Sequence, residues 1–222
     1  MRNQVPASNT HGSITFRRFV TLMALSLIIR VTIGVLLNYR DYFPPNFESE
    51  FLRGRQDYFF GSYQWAFYAH LVSGPVTLIL GLVLISDQFR LKFRNWHRWL
   101  GRFQCLCILF VVTPSGLWMA LHVDSGPVSA IGFATLAILT AFFVMMGWRA
   151  AVQRRFVAHR KWMWRCFLLL CSAVVLRLVA GFVTLIHYER EWIYLASAWV
   201  SWLVPLLMFE IWEWRRVSRR TS

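Results

Sequence analysis

Two histidines stand beside arginines in similar surroundings: His97-Arg98 within Asn95-Trp-His-Arg-Trp-Leu-Gly-Arg102, and His159-Arg160 within Ala158-His-Arg-Lys-Trp-Met-Trp-Arg165. Each motif opens a long apolar run, so helices starting there carry both imidazoles at one mouth of a membrane bundle. Two neutral imidazoles from facing helices are the ligand set of a six-coordinate haem iron, and Arg98, Arg102, Arg160 and Arg165 have the charge and reach to pair its propionates. The same groups also suit a simpler task, anchoring lipid phosphates at the interface. Met163, one turn after His159, is a packing residue with an axial-ligand role as the alternative.

Three ionisable residues fall inside apolar runs, where such groups cost a few kcal/mol and face protein or a water-filled cavity. At about 1.5 Å per residue, Arg30 lies roughly 10 Å, His70 roughly 9 Å and Arg177 roughly 14 Å below the outer ends of their helices. This predicts an outer cluster with no carboxylate of any span at its level. Loop acids such as Asp57, Glu189 or Glu191, or an anionic ligand, are the available counter-charges. The simpler reading has the arginines bonded to backbone carbonyls as helix glue.

The helix face of His70 also carries Gly74 and Gly81, which leave room for a flat group or a closely packed helix. Ala173 and Gly181 flank Arg177 in the same manner. His122, at an outer helix end, is a candidate partner of His70 for a second haem; His187 and His11 read as solvated.

Positioning these groups requires six membrane helices. Of 222 residues, 57% are hydrophobic and only 15% charged, with 12 Trp and 19 Phe, too apolar for one soluble core. Apolar spans are read at 19–37, 64–85, 99–121, 127–148, 162–186 and 192–212, the third bent at Pro114. Residues 1–16 read as a polar, mobile tail, 17–214 as the transmembrane domain and 215–222 as a basic tail. Because Arg30 interrupts the first run and no small-residue cleavage site follows, that helix is expected to stay in the mature chain. The expected fold is an all-α six-helix membrane bundle, with helices two to five as a core four-helix bundle.

The net charge of +14 follows from topology, since most of the 24 Lys and Arg fall in segments sharing one side of the membrane. A positive-inside bias therefore accounts for it without nucleic acid, and places both termini in the cytoplasm. Trp96, Trp99, Trp148, Trp162, Trp164, Trp212 and Trp214 mark the inner interface, and Trp65 and Trp192 the outer. Cys105, Cys107, Cys166 and Cys171 lack metal or redox spacing and read as small buried apolar residues. Hydrolase triads, phosphate loops, H-E-x-x-H zinc motifs and dinucleotide fingerprints are absent.

Taken together, these residues resemble a family of bacterial predicted membrane proteins, the domain of unknown function 2306, over roughly residues 60–212. The resemblance rests on His70 with Gly74 and Gly81, on His97-Arg98-x-x-Gly101-Arg102, on His159-Arg160-x-Trp162-Met163-x-Arg165, on Arg177, and on Trp199-x-Ser-Trp202 with Glu210. The layout is distantly similar to cytochrome b561-like proteins, which hold b-type haem between histidines of a central four-helix bundle. That pattern wants a histidine on each of four helices, and the fourth span here has none. The resemblance therefore implies one haem site, with any second depending on His122.

The leading expectation is a plasma-membrane cytochrome-like protein: His97 and His159 ligate haem b, while His70, Arg30 and Arg177 form an outer pocket for a second cofactor or quinone-like partner. The alternatives are a non-redox protein binding or transporting an anionic lipid or isoprenoid headgroup, and a structural subunit of a membrane complex.

Overall fold

The computed structural model describes residues 10–49, 51–187 and 191–221 of the chain, and every regular element among them is helical. The chain divides into two compact units, Met1–Pro45 and Asn46–Ser222. The first holds helix α1, Thr10–Leu37, closed by a 3-10 turn at Asn38–Asp41. Helix α1 thus begins inside the segment read as a polar tail.

The second unit contains five long helices: α2 Gln64–Leu84, α3 Arg94–Leu121, α4 Pro127–Val152, α5 Phe156–Leu185 and α6 Glu191–Thr221. With the apolar stretch of α1 this makes, among the described residues, six helices long and apolar enough to cross a membrane. Helices α2, α3, α4 and α5 contact one another around a closed ring, and α6 packs on α4 and α5. Their shared core is Cys105 and Ile108 of α3, Phe143 and Val144 of α4, Cys166 and Leu169 of α5, and Trp202 of α6. Large apolar side chains such as Ile79, Phe110, Leu121, Ile138 and Phe182 remain exposed on the outside, as a lipid-facing surface requires.

Local sequence chemistry sets the joints. Pro114 has no N–H for the Phe110 carbonyl and its ring presses on that group; α3 absorbs the mismatch by widening into a π segment at Ile108–Val112, directly ahead of Thr113 and Pro114. Gly126 holds φ at 86°, a conformation open to glycine, and Pro127 then starts α4 with its φ already helical. Between α2 and α3, the short helix Asp87–Lys92 is capped by the Ser86 hydroxyl, with Asp87 in its first turn and Arg90 and Lys92 in its last, matching the helix dipole.

The two basic turns are shorter than the sequence suggests, because α3 starts at Arg94 and α5 at Phe156. Helix α6 continues through Arg215, Arg216 and Arg219, which had read as a separate tail.

Candidate functional site

His97 and His159 are each the fourth residue of their helix, so the sequence echo is also a structural one. Both rings are half-buried at the same end of the bundle, here called the basic end. The Nδ1 of His159 is 2.8 Å from the Gly147 carbonyl oxygen. A carbonyl only accepts, so Nδ1 carries the proton and the Nε2 lone pair is left for a ligand. Gly147 makes that approach possible: a Cβ there would lie 2.7 Å from Met163 Sδ and 3.5 Å from Trp162 Cβ. Met163 thus packs into the α4–α5 joint. His97 Nδ1 is buried and has no hydrogen-bond partner among the described residues.

The four arginines divide into two kinds. Arg160 is 2.7 Å from Asp87, which also holds Arg90 at 3.0 Å, and Arg165 makes a two-pronged pair with Glu210, its Nη2 2.8 Å from Oε2. Lys161 and Arg216 both bind Glu213. Arg160 and Arg165 are therefore engaged by carboxylates of the chain rather than left for propionates. On α3, Arg98 donates to Asn95 Oδ1, and Arg98 and Arg102 are both exposed. Asp87 lies outside the membrane spans, and its hydrogen bonds from Arg90 and then Arg160 hold its carboxyl below the usual range. Beside this end runs an open groove of about 580 Å³ lined by Arg154, Arg155, Phe156, Val157, Ala158 and Lys161.

Toward the opposite end, His70 of α2 meets Ser115 of α3, with Nδ1 to Oγ at 3.2 Å. The Ser115 hydroxyl donates to the Val111 carbonyl, inside the π segment, so it accepts from His70 Nδ1–H. Gly116 lets the ring approach α3 closely, since a Cβ there would be 3.3 Å from His70 Cε1. Arg177 donates to the Ala173 carbonyl at 3.0 Å, the helix-glue arrangement. Arg30 is exposed on α1 of the N-terminal unit. Glu189 lies outside the described residues, as does the side chain of Glu191.

The two glycines below His70 behave differently. A Cβ on Gly81 would lie 2.9 Å from Phe167 of α5, so Gly81 is a close-packing residue; a Cβ on Gly74 would meet nothing within 4 Å. His122 is ringed by Tyr58, Tyr63 and Trp118 at centroid distances of 5.5, 5.4 and 5.5 Å, and its Nδ1 bonds the Trp118 carbonyl. His122 and His70 thus have separate partner sets. The four cysteines are free, and Cys105 and Cys166 are buried.

Two residues escaped the sequence reading. Arg55, in the loop ahead of α2, is buried and bonds Asp124 at 2.8 Å, Tyr63 Oη at 3.1 Å, and the Phe51 and His122 carbonyls. No periodic pattern in that loop separates Arg55 from its exposed neighbours. Gln104 is 1% exposed, its Nε2 donating to the Thr77 carbonyl at 2.8 Å while Oε1 has no partner among the described residues. Extending the search of apolar runs from charged residues to amides would have found it.

Fold and site together define a multi-pass helical membrane protein with a histidine-bearing polar interior. A family model described as Predicted membrane protein (DUF2306) matches residues 67–213, and the chain belongs to that family. No curated protein and no solved structure matches the chain.

Proposed function

We propose that this protein is a one-haem membrane cytochrome, with haem b bound at the basic end by Nε2 of His97 and His159. The observation that carries the reading is the matched placement of these two imidazoles, each the fourth residue of its helix at the basic end, one with its tautomer set by the Gly147 carbonyl. Histidine ligands of metals typically hand their second N–H to such an acceptor, which orients the ring and raises the basicity of the ligating nitrogen. Bound haem supplies one-electron chemistry. The protein's own part is to hold both rings and to offer the exposed Arg98 and Arg102 to the propionates. Arg160 and Arg165 act one layer out, fixing the start of α5 to the α2–α3 link and to α6. The positive-inside bias orients the basic end toward the cytoplasm of a plasma membrane.

The test is a reduced-minus-oxidised visible spectrum of purified protein from haem-replete cells, with haem quantified for wild type, His97→Ala and His159→Ala. About one haem per wild-type chain is expected, lost in either variant. A colourless wild type, or variants that keep their haem, would remove the reading.

The second reading, an anionic lipid or isoprenoid headgroup at the basic end, draws on the groove beside Arg154, Arg155 and Lys161, where apolar Phe156 and Val157 lie next to cations. Mass spectrometry of the purified protein distinguishes it: a phosphate-bearing lipid retained by His97→Ala, and lost from Arg154→Ala with Arg155→Ala, favours this alternative.

A further inference from the structure

The carboxylates of the basic end are all engaged. Asp87 holds Arg90 and Arg160, Glu210 holds Arg165, and Glu213 holds Lys161 and Arg216. Arg94, Arg98 and Arg102 of α3 are exposed, and among the described residues no carboxylate pairs with any of them. The His-Arg echo breaks at this point. Arg160, which follows His159, has Asp87, whereas Arg98, which follows His97, has the uncharged amide oxygen of Asn95.

Spacing makes the three arginines one feature. They stand four residues apart and so form a row along one flank of α3, about 6 Å between neighbours and about 12 Å from end to end. Like charges at that spacing repel and weaken the helix that carries them, so the row is unfavourable until an anion lies along it. Gln104, Cys105 and Ile108 mark the buried side of α3. Trp99, Phe103, Leu106 and Phe110, which recur at helical spacing beside the row, are exposed. The helix runs for 28 residues from Arg94 to Leu121, of which about twenty cross the hydrocarbon. With Leu121 at one boundary, Arg102 stands at the other, and Arg98 and Arg94 stand in the headgroup layer. Phe103, Leu106 and Phe110 then lie at the level of acyl chains.

We propose that this face of α3 binds an anionic phospholipid carrying two phosphodiester groups on a three-carbon bridge. The phosphates lie on Arg94, Arg98 and Arg102, and the chains run against Phe103, Leu106 and Phe110. Arginine takes phosphate through two parallel N–H bonds, and a bridged pair of phosphates spans a row that one phosphate covers only in part. Depth favours lipid over an acidic protein segment, because Arg102 lies at the hydrocarbon boundary and the exposed Trp96 and Trp99 are residues of the membrane interface. The site goes beyond the haem reading and does not rest on it. Each guanidinium has five N–H donors, so Arg98 and Arg102 can serve a propionate and a phosphate together, and Arg94 has no part in holding haem. The groove at Arg154 and Arg155 is a different feature, belonging to the turn between α4 and α5.

The test is native mass spectrometry of the full-length protein in detergent, titrated with diphosphatidylglycerol or with phosphatidylglycerol at equal phosphate. Wild type is expected to bind diphosphatidylglycerol the more tightly. Arg94→Gln combined with Arg102→Gln is expected to weaken that binding by about tenfold or more. Both residues are exposed, so elution volume should stay as in wild type. Equal affinity for the two lipids, or a double variant that binds like wild type, would overturn the proposal. So would a larger loss from Arg154→Gln with Arg155→Gln than from the α3 pair, since the lipid would then sit in the groove. Haem content, read on the same samples and on Arg94→Gln alone, tests the cytochrome reading separately.

Discussion

At one end of the bundle a single guanidinium, Arg55, with a side chain only 10% exposed, gathers Asp124, Tyr58, Tyr63 and two backbone carbonyls. At the other, Arg90, Arg160, Lys161, Arg165 and Arg216 are spread over Asp87, Glu210 and Glu213. The first arrangement ties the long loop to the α3–α4 link through one buried cation, whose removal leaves several acceptors without a donor. The second ties the α2–α3 link, α5 and α6 together through several partly exposed pairs, each replaceable in part by water. Concentrated burial makes one residue indispensable, whereas distribution makes each residue dispensable and the sum sensitive to salt and pH.

The sharpest way to break this contrast is Arg55→Ala. Because Asp124 is 59% exposed and can rehydrate, the loss falls at the low end for a buried pair, about 3 kcal/mol, read as a lowered unfolding temperature in detergent. A change no larger than that of a surface arginine would erase the distinction. Next in size is Arg165→Ala, expected to cost about 1 kcal/mol by the same measurement, since its two-pronged pair with Glu210 is only partly buried. Raising salt toward 1 M should weaken the basic-end contribution while leaving the Arg55 contribution nearly unchanged.

The smallest effect is the pH dependence at Asp87. Hydrogen bonds from Arg90 and Arg160 lower its folded pKa below that of the unfolded chain, so it binds its proton more readily when unfolded. Its contribution is therefore fully present above the ordinary aspartate range and fades as pH falls through the lowered folded value. Wild type should lose its advantage over Asp87→Asn only in that acid window; an equal gap at every pH would count against the pairing.

Much of this was legible in the residues. The six spans were located because a bilayer demands about twenty apolar residues per crossing, a signal that needs no tertiary information. The shared mouth of His97 and His159 followed from their places at the starts of two spans of the same direction. What each side chain faces was not legible, because α4 is apolar on nearly every side and its sequence carries little stripe from which to read rotation. Hence Arg160 and Arg165 read as propionate partners, although Asp87 and Glu210 lie within reach. Gly74 and Gly81 read as equivalent, although only Gly81 is pressed by a neighbouring helix.

Position along the chain already specifies the helix count, the end of the bundle at which basic residues collect and the recurrence of the His-Arg motif. These are properties of position along a helix, and a rise of about 1.5 Å per residue converts sequence number directly into depth. The tertiary structure alone decided that His159 meets the Gly147 carbonyl, that His70 meets Ser115 rather than His122, that Gln104 bridges to Thr77 and that Arg55 is buried. Each of these depends on how one helix or loop is turned against another, which is set by many small packing contacts summed over the whole interface.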